Sequence, residues 1–204
     1  MKKLNLPNAI TILRICMIPV FMLFMVYDFF GGEQQLISRI IAAAVFIIAA
    51  LTDMLDGKIA RKRGLVTDFG KFLDPLADKF MIFGAMIAVL FSDYMFADWQ
   101  ILSPEIMSNI FFWCAATVIF RELAVTSIRL VVAKTGVVIA ASNIAKVKTT
   151  FQMICISVII LEPVILPFCQ GFASLVLMAL MLCFTVISGV DYIAKYWKYL
   201  DIDK

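Results

Sequence analysis

The chain contains no histidine. Imidazole is therefore unavailable as a general base, proton shuttle or metal ligand, and carboxylates are left to carry any proton transfer. Cysteine is sparse and shows no pairing pattern. Cys16, Cys114, Cys155, Cys169 and Cys183 are scattered without a CxxC, which argues against a zinc ribbon or a dithiol redox centre and reads as packing inside apolar runs. Charge is scarce as well, at 16% of residues, against 63% hydrophobic residues and a mean hydropathy of +0.99. A soluble domain must face water and has no use for so much apolar surface. Residues 1–204 read as a single all-α domain of a polytopic membrane protein, with no repeat at a fixed period.

The few charges are not spread evenly. Basic residues gather at 2–14, 58–79, 129–148 and 195–204, whereas 28–36, 92–105 and 161–171 carry Asp28, Glu33, Asp93, Asp98, Glu105 and Glu162 with no Lys or Arg. The positive-inside rule puts the first set on the cytoplasmic side and the second outside. Topology thus accounts for the basic residues, and nucleic acid is not needed to explain them. Residues 1–14 are too polar to span and are expected to lie along the interface before a first span at about 12–30. Arg14 interrupts the apolar run and no small-residue cleavage site follows, so a retained segment is expected instead of a signal peptide. Gly31 and Gly32 make an external turn. A second helix starts near Glu33, stays apolar from Ile40 to Leu51, and closes at Arg61, Lys62, Arg63 and Gly64. Thr67 or Asp68 caps a third helix running to about Phe91, within which Pro75 predicts a later start or a bend at Asp74. Spans at about 105–133, 146–165 and 171–194 follow, the first two separated by a linker from Gly136 to Asn143. Six spans with both ends cytoplasmic result.

Between the second and third of these helices the sequence reads DMLDGKIARKRGLVTDFGKFLDPLAD, residues 53 to 78. Asp53, Asp56, Asp68, Asp74 and Asp78 are costly so close to a bilayer, and such residues usually serve function. Asp53 and Asp56 are i,i+3 and Asp74 and Asp78 are i,i+4, so on helices each pair shares a face. Four acids converging from two helices repel one another unless cations lie between them, and all-oxygen ligation suits Mg²⁺ or Mn²⁺. The competing structural reading is an ion-pair network with Arg61, Lys62, Lys71 and Lys79. For Gly57 and Ala60 it is close helix packing.

The pattern D-x2-D-G-x2-A-R-x8-G-x3-D-x3-D is met by Asp53, Asp56, Gly57, Ala60, Arg61, Gly70, Asp74 and Asp78. It resembles the signature of the CDP-alcohol phosphotransferase family. The resemblance implies that family's six-helix fold with an N-terminal interfacial helix, and two metals held by Asp53, Asp56, Asp74 and Asp78, with Asp78 the general base. Gly57, Ala60 and Gly70 would give the nucleotide room, Arg61 would contact the diphosphate, and Thr67 and Asp68 the ribose or base, unless these two simply cap the helix. Asn8, Thr11 and Arg14 resemble an Asn-x2-Thr-x2-Arg element of the bacterial members that faces the nucleotide; their plain alternative is interfacial anchoring.

The stretches RELAVTSIR (121–129) and AKVKTTFQ (145–152) resemble the glycerol-phosphate branch of the family. Arg121, Arg129, Lys146 and Lys148 would then hold the acceptor's phosphate, although Glu122 and Arg129, seven apart, are also placed to pair with each other. The expected activity is transfer of a phosphatidyl group from CDP-diacylglycerol to sn-glycerol 3-phosphate by a homodimer in the bacterial inner membrane, with the active site and both termini on the cytoplasmic side. The same chemistry on serine, inositol phosphate or a lipid alcohol is the nearest alternative. A divalent-cation transporter is the alternative of another class.

Overall fold

The computed structural model describes residues 5–27, 35–63, 67–133 and 143–197, and of 54–63, 71 and 143–146 the backbone alone. Gly31, Gly32, Gly64 and most of the Gly136–Asn143 linker lie outside the described residues, as do the side chains of Asp56, Gly57, Ala60, Arg61 and Lys146. Six long helices make up nearly all of what is described: α1 Leu6–Val26, α2 Gln35–Arg63, α3 Asp68–Phe91, α4 Pro104–Ala133, α5 Asn143–Ile165 and α6 Phe172–Tyr196. A short 3-10 turn, Pro167–Cys169, joins the last two. Leu6–Val26, Gln35–Asp53, Val147–Ile165 and Phe172–Tyr196 are long and apolar enough to cross a membrane.

The N-terminus corrects the sequence reading. Pro7 sits in the first turn of α1, where its missing N–H costs nothing, and the helix runs unbroken from Leu6 to Val26. Among the described residues, those from Leu6 to Arg14 belong to this one helix and form no separate interfacial helix. Asn8, Thr11 and Arg14 are buried, because in lipid the polar stripe of a helix turns inward and the apolar stripe outward. The opening of α3 matches expectation at its cap: Thr67 Oγ1 accepts from Gly70 N at 3.0 Å. The later start considered for this helix does not occur. It begins at Asp68 and continues past Pro75, whose ring is exposed, so one intrahelical bond is forgone without a break.

α1 packs on α2 and α3, and α6 packs on α5 and α4; the α2–α5 contact is the main join between the two groups, with α3–α4 beside it. Small residues set the spacing. Ala42, Ala43, Ala77, Ala85 and Ala88 are buried, and at such positions helix backbones approach closely. Gly84 is packed as closely, since a Cβ there would lie 2.8 Å from Ile18 Cγ2. Gly84→Val is therefore expected to cost about 1–3 kcal/mol, read as a lower unfolding midpoint in detergent; an unchanged midpoint would show that α1 and α3 separate freely. Outside this core the surface stays apolar, with Trp113 70% and Phe120 74% exposed, as a lipid-facing surface requires.

The end of the bundle bearing Gln35 and Glu162 is knotted by polar contacts. The fully buried Arg39 donates to Tyr94 O and Met95 O and pairs with Asp98 at 2.9 Å, while Tyr94 Oη donates to Phe24 O. Glu162 accepts from the backbone N–H groups of Gly171, Ala173 and Ser174, a carboxylate placed at the positive end of α6. Gly171 needs its hydrogen: its φ is 97°, and a Cβ would lie 2.9 Å from the Trp99 ring. The acidic residues Asp98 and Glu162, read from sequence as topology markers, thus each hold a structural contact.

Candidate active site

The opposite end gathers the motif. α2 is 29 residues long, about 43 Å at 1.5 Å per residue, against a hydrocarbon core of about 30 Å. Its surplus length carries Asp53 and the backbone of residue 56 to the rim of the bundle. α3 begins on that side and brings Asp74 and Asp78 one turn apart. α1 lies against both and presents Asn8, Thr11 and Arg14, three residues apart.

Each of these three residues reaches a different part of the motif. Asn8 Nδ2 donates to Thr67 Oγ1 at 3.0 Å, and Gly70 leaves room for that amide, since a Cβ there would stand 2.8 Å from Asn8 Oδ1. Thr11 Oγ1 lies 3.1 Å from Asp74 Oδ1. Arg14, with a side chain 0% exposed, places Nη1 2.5 Å from Asp53 Oδ1 and 3.1 Å from Asp78 Oδ1. The carboxyls of Asp53 and Asp78 lie close enough to repel each other, with Asp74 nearby. They remain 29% and 44% exposed, so the cluster opens to a ligand from the rim.

The donor set suits a divalent cation. Three acids meet one guanidinium here, so negative charge is in excess, and every anionic donor is a carboxylate oxygen, the chemistry Mg²⁺ and Mn²⁺ prefer. Among the described residues no three acids close on one metal-sized point; Arg14 stands between Asp53 and Asp78, and the side chain of Asp56 is not among those described. Asp68 is exposed at the start of α3. Of the ion-pair partners the sequence offers the aspartates, Arg61, Lys62 and Lys71 have undescribed side chains and Lys79 contacts Thr126; the described cation on the aspartates is Arg14.

A second cluster lies on α4 and α5. Arg121 Nη1 contacts Glu122 Oε1 at 2.9 Å, and Lys148 Nζ contacts the same oxygen. Arg121 Nη2 also reaches Ser188 O on α6 at 3.5 Å, and Gly189 makes space for that side chain, its would-be Cβ being 3.1 Å from Arg121 Cγ. Glu122 was placed from sequence with Arg129; its contacts are Arg121 and Lys148 instead. The spacing of seven puts Glu122 and Arg129 on one face of α4 but two turns apart, whereas α5 crosses directly at Lys148. Arg129 is exposed, within electrostatic range of Lys79.

Lys79 is the residue the sequence reading underrated. Its Nζ contacts Thr126 Oγ1 at 2.5 Å, and Glu122, Arg129 and Asp78 all lie within its field. It joins the two clusters, being the immediate neighbour of Asp78 on α3 and turned toward α4. The only available signal was helical geometry: successive residues point about 100° apart, so a lysine after the last motif aspartate faces the next helix.

Comparison with known proteins follows the same lines. The family model for CDP-alcohol phosphatidyltransferase matches residues 4–187. A CDP-diacylglycerol–glycerol-3-phosphate 3-phosphatidyltransferase of Bacillus subtilis is 42% identical, covering 96% of this chain and 97% of that protein. A probable phosphatidylglycerophosphate synthase of Mycobacterium tuberculosis is 38% identical over 94% of this chain and 81% of its own. A Rickettsia felis protein with the same name as the Bacillus relative is 38% identical over 77% of this chain and 75% of its own. With its apolar helices, its motif and a family match over most of its length, the chain is a membrane protein belonging to the CDP-alcohol phosphatidyltransferase family.

Proposed function

We propose that this chain transfers the phosphatidyl group of CDP-diacylglycerol to sn-glycerol 3-phosphate, releasing CMP and forming phosphatidylglycerophosphate. The observation that carries the reading is the side-by-side placement of an acid-rich cluster, Asp53, Asp74 and Asp78 around Arg14, and a cation-rich one, Arg121, Lys148, Lys79 and Arg129 around Glu122. A phosphorylated alcohol has the complementary shape, an anionic end for the second cluster and a hydroxyl for the first.

In this reading Asp53, Asp56, Asp74 and Asp78 would hold Mg²⁺ or Mn²⁺, two ions per site, whose charge would neutralise the diphosphate and ease departure of CMP. Asp78 takes the proton of the acceptor's 1-hydroxyl as its oxygen attacks the lipid-linked phosphorus, and the bond from that phosphorus to the CMP oxygen breaks. Arg14 keeps the carboxylates at fixed spacing. Asn8, Thr11, Gly57, Ala60, Arg61, Thr67, Asp68 and Gly70 border the nucleotide, and Arg121, Arg129, Lys146 and Lys148 the acceptor's phosphate. α3 and α4 cross the membrane with the other four helices, giving six spans with both termini and the site on the cytoplasmic face of a bacterial inner membrane, and two copies of the chain form a homodimer.

Purified protein given radiolabelled CDP-diacylglycerol and a panel of sn-glycerol 3-phosphate, serine and inositol phosphate is expected to yield phosphatidylglycerophosphate alone. Chelation should stop the reaction and added Mg²⁺ or Mn²⁺ restore it. Another lipid product would remove the acceptor assignment, and chelator-resistant synthesis the metal.

A further inference from the structure

The four cations of the second cluster are not equivalent. Arg121 and Lys148 both bind Glu122, so that one carboxylate already occupies the donors facing it. Lys79 differs. Among the described residues its ammonium has one contact, the neutral hydroxyl of Thr126, and no carboxylate within ion-pair distance. Thr126 is itself fixed, its Oγ1 donating to Glu122 O one turn earlier on α4 at 2.7 Å. Glu122 and Asp78 attract Lys79 from beyond ion-pair distance, Glu122 the more strongly, and Arg129 is the neighbouring cation that repels it. A half-buried ammonium beside a like charge, steered by a hydroxyl, is an arrangement completed by an anion.

We infer that Lys79 is the acceptor-specificity residue of the site: it binds the acceptor's phosphate together with Arg129, Thr126 aims it, and its place next to Asp78 sets the distance from that phosphate to the reacting hydroxyl. The inference rests on the proposed transfer to a phosphorylated alcohol and deepens it. The geometric reason is compact. On a helix, Asp78 and Lys79 share a backbone position to within one residue's rise yet face different neighbours. The first joins Arg14 of α1 and Asp53 of α2, and the second reaches α4. A short molecule with a hydroxyl at one end and a phosphate at the other spans that step, whereas a neutral alcohol gives Lys79 nothing to bind.

The test is steady-state kinetics of Lys79→Met, Lys79→Arg and Thr126→Val in detergent–lipid micelles, varying sn-glycerol 3-phosphate and CDP-diacylglycerol separately. Loss of one charge-assisted contact predicts a KM for sn-glycerol 3-phosphate about 10- to 100-fold higher in Lys79→Met, with kcat and the KM for CDP-diacylglycerol within about threefold of the parent. Lys79→Arg should recover part of the loss, and Thr126→Val should show a smaller effect of the same kind. An acceptor KM unchanged in Lys79→Met, in a parent enzyme that does use sn-glycerol 3-phosphate, overturns the role of Lys79 while leaving the proposed reaction standing. Equal rises in both KM values also overturn it, as a merely structural lysine would give. A parent enzyme that uses only neutral acceptors overturns both.

Discussion

Asp78→Asn is expected to lower CMP release from CDP-diacylglycerol by about 100- to 10,000-fold, the range that a positioned general base contributes. Asparagine keeps the shape of the side chain and its place beside Arg14, but it neither accepts a proton nor carries charge. The substitution leaves Asp53 as the acid on Arg14, whose contact with Asp53 at 2.5 Å is the shorter of its two, so folding should survive. The KM for CDP-diacylglycerol should change far less than kcat. The measurement is CMP formation at saturating substrates, with the unfolding midpoint as a control on structure. Turnover within about tenfold of the parent would take the proton-accepting role away from Asp78.

The second large effect falls on Arg14, and it concerns stability before activity. Arg14→Met leaves Asp53 and Asp78, which lie close enough to repel each other, without the buried cation between them. Removing one member of a fully buried pair costs about 3–5 kcal/mol. The two acids are 29% and 44% exposed, so water and counterions offset part of this and the lower end applies. For a chain of this length that corresponds to a midpoint about 6–12 °C lower. Because the remaining charge is purely acidic, millimolar Mg²⁺ should raise the midpoint of Arg14→Met more than that of the parent protein, and Arg14→Lys should lie between the two. A midpoint within about 2 °C of the parent, with no added response to Mg²⁺, would mean that the aspartates are held apart by something other than Arg14.

The sequence carried the motif well because its information is local. Asp74 and Asp78 need only a helical turn between them, and Thr67 caps α3 through a hydrogen bond to Gly70, three residues on. What escaped it spans long separations. Arg14 meets Asp53 and Asp78 across 39 and 64 residues, Lys79 meets Thr126 across 47, and Lys148 meets Glu122 across 26. No periodicity encodes which helix will cross which. That Leu6–Arg14 run on into the first long helix escaped the sequence for a separate reason. A polar stripe at i, i+3, i+6 looks the same whether it faces water at an interface or acids inside a bundle, and only the position of α2 and α3 decides between them. Of the two outcomes Pro75 allowed, the later start does not occur, because a proline on an exposed face removes one hydrogen bond without forcing a break.

The grouping of the helices divides the labour of the proposed reaction along the chain. α1, α2 and α3 pack together and contain Arg14 and all four motif aspartates, so during synthesis the nucleotide-handling half is complete in sequence by residue 91. α4, α5 and α6 form the other group and contribute Arg121, Glu122, Arg129 and Lys148. In the proposed reaction, substitutions in the later half are therefore expected to alter which alcohol is accepted while leaving the donor chemistry in place. Lys79 is the exception to that separation. It belongs to the first half and serves the second, so any such change of acceptor has to be negotiated across the seam between α3 and α4.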